Sequence, residues 1–281
     1  MKRRATPPAE AGERPAPTAV ETVVGARDWR RGAVCGVDDS VVRELPVALV
    51  YNGLSHVVMM ATPTELEAFV LGFSLSEGIL QSPRELYDLE IVTQPEGLEV
   101  AMTIASERFL ALKQARRNMT GRTGCGLCGA ESLQQAIRAP VPVRDGGTIT
   151  HDAIDRAARS LTEHQPLQAV TGAAHGAAWC DVEGRILDLC EDVGRHNALD
   201  KLIGKGCRQT DPWQAGFALI SSRASYEMVV KAASQGIAIL AAVSAPTALA
   251  IELATAANLT LIGFARPGRH MVYTHPQRIT R

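Results

Sequence analysis

Along the chain the apolar positions fall into two blocks of different rhythm. In the first, from about Arg43 to Ser106, apolar runs at Pro46–Tyr51 and Leu54–Ala61 flank Asn52-Gly53, a dipeptide suited to a two-residue hairpin. Thr62-Pro63-Thr64-Glu65 follows, offering an N-cap, a proline for the first helical position and a capping-box glutamate, so the pattern predicts a helix that ends near Gly78. Two more strands are predicted at Leu89–Thr93 and Leu98–Ile104, which makes this block a compact α+β unit. A helical stretch, Phe109–Asn118, then leads into a glycine-rich loop, Gly121–Gly129, and a second short helical stretch at Glu131–Arg138.

The second block starts after Pro140 and Pro142, with a predicted helix at Asp152–Glu163 and a hairpin of Ala177–Asp181 and Arg185–Leu189 around Glu183-Gly184. A helix at His196–Ile203 is followed by strands at Phe217–Ile220, Ile237–Val243 and Leu259–Phe264. Helices at Ala224–Gln235 and Pro246–Ala257 separate those strands. Such alternation predicts right-handed crossovers in a mixed, largely parallel sheet, hence an α/β fold class. The chain thereby divides into a disordered tail (1–30), a small α+β domain (31–118), a linker carrying the glycine loop (119–145) and an α/β domain (146–281).

In sheets of this kind ligands bind beyond the carboxyl ends of the parallel strands. Those ends are Ser221-Ser222-Arg223, Ser244-Ala245-Pro246-Thr247 and Ala265-Arg266-Pro267-Gly268-Arg269. Hydroxyls and backbone N–H groups at helix starts, together with paired guanidiniums, suit an anionic, phosphate-bearing ligand. Taken singly, Ser222 and Thr247 read equally well as helix caps.

Composition narrows the possibilities. With 46% hydrophobic and 21% charged residues the chain is of ordinary globular type, and 29 Lys and Arg against 30 Asp and Glu argue against a nucleic-acid coat or a polybasic membrane anchor. The balance conceals local asymmetry: no acid occurs between Glu107 and Glu131, and Leu253–Arg281 holds four arginines and no acid. Proline and polar residues interrupt the most apolar stretch, Ile237–Ala265, which argues against a membrane span, and Met1–Val20 lacks the apolar block of a signal peptide. A soluble, cytoplasmic protein is expected.

Six cysteines are too few for a disulfide scaffold, yet two of them stand three positions apart in Gly124-Cys125-Gly126-Leu127-Cys128-Gly129. Glycines leave the thiols little cover, and Arg108, Lys113, Arg116, Arg117 and Arg122 favour thiolate, the nucleophilic form. Such a pair could be half of a zinc site, a dithiol redox centre or a sulfur relay in which a thiolate carries sulfur as a persulfide. A zinc site would want a second close pair, and Cys180 and Cys190 are ten apart; a redox centre would want a helix start after a strand. Sulfur relay suits the exposure and charge, and no structural metal is assigned. Cys35, Cys180, Cys190 and Cys207 read as small packing residues.

Four segments together carry a family resemblance: Arg122-Thr123-Gly124-Cys125-Gly126-Leu127-Cys128-Gly129, Glu191-Asp192-Val193-Gly194-Arg195-His196-Asn197-Ala198-Leu199-Asp200-Lys201, Ser221-Ser222-Arg223-Ala224-Ser225-Tyr226-Glu227-Met228 and Tyr273-Thr274-His275-Pro276-Gln277-Arg278. Over roughly residues 40–280 the chain resembles the FdhD family, sulfur carriers required for formate dehydrogenase activity. The resemblance implies a sulfurtransferase that accepts sulfur from a cysteine desulfurase as a persulfide on Cys125, with Cys128 as assisting thiol. It implies transfer to the molybdenum (or tungsten) bis(molybdopterin guanine dinucleotide) cofactor before that cofactor enters formate dehydrogenase. The family's cofactor-binding segment falls on Phe264, Ala265, Arg266, Pro267, Gly268 and Arg269, and a homodimer gripping two guanine nucleotides is implied.

The second domain is implied to be cytidine-deaminase-like, a three-layer α/β/α arrangement. Deaminase chemistry itself does not fit, because His196-Asn197-Ala198 lacks the glutamate of H-x-E and Ser221–Ser225 lacks the cysteines of P-C-x-x-C. His196 could bind cofactor or serve as a cap or core residue, and His175 and His275 are similarly open. A cofactor chaperone whose cysteines only touch the cargo and a zinc-binding structural protein are the competing functions.

Overall fold

A computed structural model describes residues 20–30, 33–120, 140–144, 146–209, 213 and 215–281. The first element was not anticipated. Residues Glu21–Arg30 form strand β1, paired antiparallel with β2 (Ala33–Val42) from Glu21↔Val42 to Arg30↔Ala33, so the tail expected over 1–30 gives way to a strand at Glu21. The prolines stop at Pro17, and the β-branched residues that follow favour extended pairing. Residues 1–19 lie outside the described residues, as do the Gly121–Gly129 loop with Cys125 and Cys128 and the helical stretch expected at Glu131–Arg138.

Asn52 and Gly53 both take positive φ (47° and 79°), the conformation of a two-residue hairpin turn, and join β3 (Leu45–Tyr51) to β4 (Leu54–Ala61). With α1 (Leu66–Ser76), β5 (Leu86–Gln94), β6 (Gly97–Ile104) and α2 (Ser106–Thr120) they complete the first unit. Its sheet runs in the order β4-β3-β6-β5, with β3 and β6 parallel. Val47, Leu49, Phe69, Val70, Val100 and Met102 form its core.

The capping box expected at Thr62–Glu65 is absent. Glu65 sits in the left-handed region (φ 52°) without a side-chain cap, and its carboxylate pairs with Lys205 instead. Thr62 is engaged elsewhere: its N–H donates to Asp192 (3.0 Å), its hydroxyl accepts from the Val193 N–H (3.1 Å), and its carbonyl accepts from Lys201 (3.2 Å). Contacts 130 residues away in sequence have overridden the local signal.

In the second unit, β7 (Ile149–Thr150), α3 (His151–Ser160), α4 (Pro166–Thr171), β8 (His175–Asp181), β9 (Ile186–Asp192), α5 (Arg195–Gly206), β10 (Gly216–Ile220), α6 (Tyr226–Ser234), β11 (Ile239–Ala242), α7 (Ala248–Ala256), β12 (Thr260–Arg266), β13 (Arg269–Val272) and β14 (Ile279–Thr280) follow in turn. The six-stranded sheet has the order β13-β12-β11-β10-β8-β9. Only β10–β11 and β11–β12 are parallel; β8–β9, β8–β10 and β12–β13 are antiparallel, so the sheet is mixed and less parallel than expected. The reason is connectivity: α6 and α7 provide crossovers, whereas tight turns at Gly184 and Gly268 force hairpins. The apolar stretch 237–265 supplies β11, α7 and β12, and no described helix is long and apolar enough to cross a membrane.

Every residue of α1 except Glu67 is buried, because one side covers the first sheet and the other packs on α5. Backbones meet there: a Cβ on Gly72 would lie 1.7 Å from the Asp200 carbonyl oxygen, and one on Gly204 1.9 Å from that of Ala68. Neither obstacle is a flexible side chain that could move aside. We expect Gly204→Ala to lower unfolding free energy by about 3 kcal/mol, read as a lower urea midpoint, since overpacking forces backbone shifts; an unchanged midpoint would contradict this crossing.

Candidate functional site along the carboxyl edge of the sheet

Because β10, β11 and β12 are parallel, their carboxyl ends share one edge. The antiparallel neighbours add the start of β8 (His175, Gly176) and the end of β9 (Asp192) to that edge, next to the N-terminus of α5. Polar segments far apart in sequence are thereby gathered into one row.

At one end of the row lies the β12–β13 turn. Strand β12 breaks register between Gly263 and Arg266, and Phe264 takes a positive φ of 52° while its N–H donates to the Ser244 carbonyl. The Arg266 and Arg269 guanidiniums lie 5.9 and 5.3 Å from the Phe264 ring centre, within cation–π reach. Arg266 Nε also donates to the Val243 carbonyl (3.0 Å), tying this turn to the end of β11. Arg266, Pro267, Gly268 and Arg269 are exposed, whereas Ala265 is fully buried and packs in the core. Two cations on one exposed turn are suited to an anion with more than one charged group.

The turn leans on α3. The Gly268 N–H donates to the Asp155 carboxylate, which also accepts from Arg159 Nε (2.7 Å). Those two donors, Arg159 first, hold the Asp155 carboxyl below the usual range. Alongside, His151 Nδ1 and His270 Nε2 are 2.6 Å apart with their rings stacked at 4.8 Å. None of these α3 residues was singled out from sequence, although His151, Asp155 and Arg159, spaced four apart, mark one helical face.

Further along the row, the Ser221 N–H donates to the Gly176 carbonyl (2.9 Å) and the Ser221 hydroxyl accepts the Gly176 N–H (2.9 Å); Ser222 donates to the Arg223 carbonyl (3.0 Å), and Arg223 is exposed. Thr247 is the N-cap of α7, its hydroxyl accepting the Ala250 N–H (3.2 Å). Of the two readings of Thr247, the cap is the one with a bond to show for it.

The longest sequence motif, residues 191–201, serves mainly to join the units. Lys201 Nζ lies 2.7 Å from Asp192 Oδ2, both side chains wholly buried, and donates to Thr62 O, Thr64 Oγ1 and Glu191 O. Asp192 Oδ1 accepts from the Gly194 N–H and the Asn197 amide, which also donates to Met60 O. A second cluster holds Lys231 between Asp200 (2.9 Å) and Glu77 (2.7 Å). Burial works against the Lys231 charge, but the two carboxylates outweigh it and keep the amine protonated.

Above this cluster is a cleft of about 280 Å³ lined by Met59 and Phe73 from the first unit and His196, Tyr226 and Glu227 from the second. His196 Nε2 lies 2.7 Å from Glu227 Oε2, so His196 faces a cleft and neither caps a helix nor sits in the core. His175 stands opposite Asp192 in the β8–β9 register, and His275 Nε2 meets the Thr255 carbonyl (3.1 Å). Of the basic run, Arg108 pairs with Glu85 (3.3 Å), Lys113 lies over the Phe109 ring and Arg116 donates to Ser55 O. The Arg117 side chain and Arg122 lie outside the described residues.

Cys180 and Cys190 are buried with thiols pushed up by desolvation, and Cys207 is raised to about 11 by the same cause. These three pack, as read from the sequence. Cys35 differs, being exposed on β2.

The chain is similar to known proteins over most of its length. A sequence model of the FdhD/NarQ family matches residues 42–280. A protein of Cupriavidus necator named "Sulfur carrier protein FdhD" is 52% identical over 272 residues, covering 97% of this chain and 94% of its own. The crystal structure of a protein assigned as a formate dehydrogenase accessory protein, from Desulfotalea psychrophila, superposes with a TM-score of 0.71 at 25% identity, covering 93% of this chain and 100% of its own.

Four histidines share one electrostatic bias. His56, His175, His196 and His270 are each held below the ordinary value, first by burial, with Arg116, Arg195, Arg195 and His151 respectively adding to it. The unfolded chain therefore takes up protons near pH 6.5, the ordinary histidine value of about that figure, before the folded one does. Stability should be fully present above that value and fall as pH drops through it towards the lower folded-state values. Urea midpoints measured from about pH 8 to about pH 5 check this, and a flat profile would contradict it.

Proposed function

Since the chain belongs to the FdhD/NarQ family, we propose that it is a sulfur carrier serving formate dehydrogenase, with Cys125 as the persulfide-bearing residue. The Cys125 thiolate attacks the terminal sulfur of a cysteine desulfurase persulfide. A new S–S bond forms at Cys125 as the desulfurase S–S bond breaks, and the desulfurase thiolate departs. Cys128 is the assisting thiol, and the sulfur passes on to the bis(molybdopterin guanine dinucleotide) cofactor, which is cargo here and not a resident group. The carrier works in the cytoplasm as a homodimer.

The observation that carries the reading is the pairing of Cys125 and Cys128 in a glycine-flanked motif of a chain 52% identical to a named sulfur carrier. The paired Arg266 and Arg269 guanidiniums support the cargo's place, because a dinucleotide presents a diphosphate and always-charged arginines bind it without titrating. The cleft beside His196 and Glu227 opens between the two units at the start of α5.

Incubation with a desulfurase and cysteine should add the mass of one sulfur atom to the protein and add nothing to Cys125→Ala. Labelling of that variant together with restored formate dehydrogenase would refute the assignment, and no mass gain in the unaltered protein would favour a delivery chaperone. Independently, Arg266→Ala and Arg269→Ala should each weaken guanosine diphosphate binding about tenfold or more by calorimetry, with the melting temperature little changed.

A further inference from the structure

We infer that Asp155, with the His151–His270 pair beside it, is a positioning residue that latches the β12–β13 turn to α3 and so sets the spacing of Arg266 and Arg269 for a diphosphate group. This rests on the proposed anion-binding role of that turn.

An ionised carboxylate beside an anion site is an electrostatic cost, since like charges a few ångströms apart repel. Asp155 carries that cost at the turn itself: its oxygen holds the Gly268 N–H, between the two arginines in sequence. Apart from Asp155, the turn is tied to the end of β11 by Arg266 Nε on the Val243 carbonyl, and its support from the strand ladder is short. Strand β13 is a four-residue edge strand, and its ladder with β12 is broken between Gly263 and Arg266. Gly268 takes a positive φ of 76°, so its N–H points where the tight turn aims it.

By contrast α3 is firmly seated. Thr150 caps it by accepting the Ala153 N–H (3.1 Å), and Ile154 and Ala157 are buried in the core against the sheet. Two contacts transfer that rigidity to the turn. Asp155 holds Gly268, and the stacked His151–His270 rings hold the first turn of α3 against β13 immediately after Arg269. Arg159, on the same face as Asp155, fixes the carboxylate by donating to both of its oxygens, Nε to Oδ2 (2.7 Å) and Nη2 to Oδ1 (3.3 Å). The groups facing this latch are therefore His151, Asp155 and Arg159 from α3 and Arg266, Arg269 and His270 from the hairpin.

Two substitutions separate charge from position. Asp155→Asn and Asp155→Ala both remove the negative charge, but only the asparagine keeps an oxygen that can accept the Gly268 N–H. With inorganic pyrophosphate as the probe, Asp155→Asn should bind at least as tightly as the unaltered protein, and Asp155→Ala about five- to tenfold more weakly than Asp155→Asn, the effect of losing one ordering hydrogen bond. Hydrogen exchange at the Gly268 amide should be slow in the unaltered protein and Asp155→Asn and fast in Asp155→Ala.

If the two variants bind alike while Arg266→Ala loses affinity, the latch is overturned and the anion site stands. If neither the unaltered protein nor Arg266→Ala binds pyrophosphate, the anion site falls and the latch with it.

Discussion

The Asp192–Lys201 ion pair, 2.7 Å long and wholly buried, is where the two units become one molecule. Removing two charges from water costs several kcal/mol per ion, a cost offset only when every remaining donor and acceptor is matched. Here they are: Asp192 accepts from Thr62, Gly194 and Asn197, and Lys201 donates to Thr62, Thr64 and Glu191. The loop 62–65 at the end of β4 is thus bound to the end of β9 and the first turns of α5. The near end of the carboxyl edge, where β9 ends and α5 starts, is set by this joint.

From this junction the rest of the geometry follows in steps. With α5 fixed, glycines at 72 and 204 let its backbone approach α1 closely, and the Asp200–Lys231–Glu77 cluster sets α6 against both. The cleft between His196, Tyr226, Glu227, Phe73 and Met59 opens above that cluster. Charge is distributed unevenly along the edge: carboxylates concentrate at the cleft and guanidiniums at the far turn, a separation that a net charge of −1 conceals.

Much of the fold was legible because its signals are local. Asn52-Gly53 and Glu183-Gly184 place their hairpins, and apolar runs of strand length locate β10, β11 and β12. Signals failed where distant contacts compete for the same atoms. Thr62-Pro63-Thr64-Glu65 has the composition of a capping box, yet a carboxylate and an amine from α5 and its approach claim Thr62. Similarly, Asp200, Lys201 and Lys231 are charges on helices that tertiary packing buries: the end of α1 covers Asp200 and Lys231, and the 62–64 loop with the end of β9 covers Lys201.

The chain by itself determined the chemistry available: a glycine-flanked pair of thiols, a run of cations upstream of it, and a C-terminal stretch with arginines and no acids. Residue identity suffices for these, since ionisation and nucleophilicity belong to the side chain before any neighbour acts. Tertiary structure decided which of those groups work together. It joined Arg266 and Arg269 over one phenylalanine ring, set Asp155 against Gly268 across 113 residues, and turned the 191–201 motif into a joint between the units. Hydrogen bonds and ion pairs act over a few ångströms, so their partners are chosen by the path of the backbone and not by proximity in sequence.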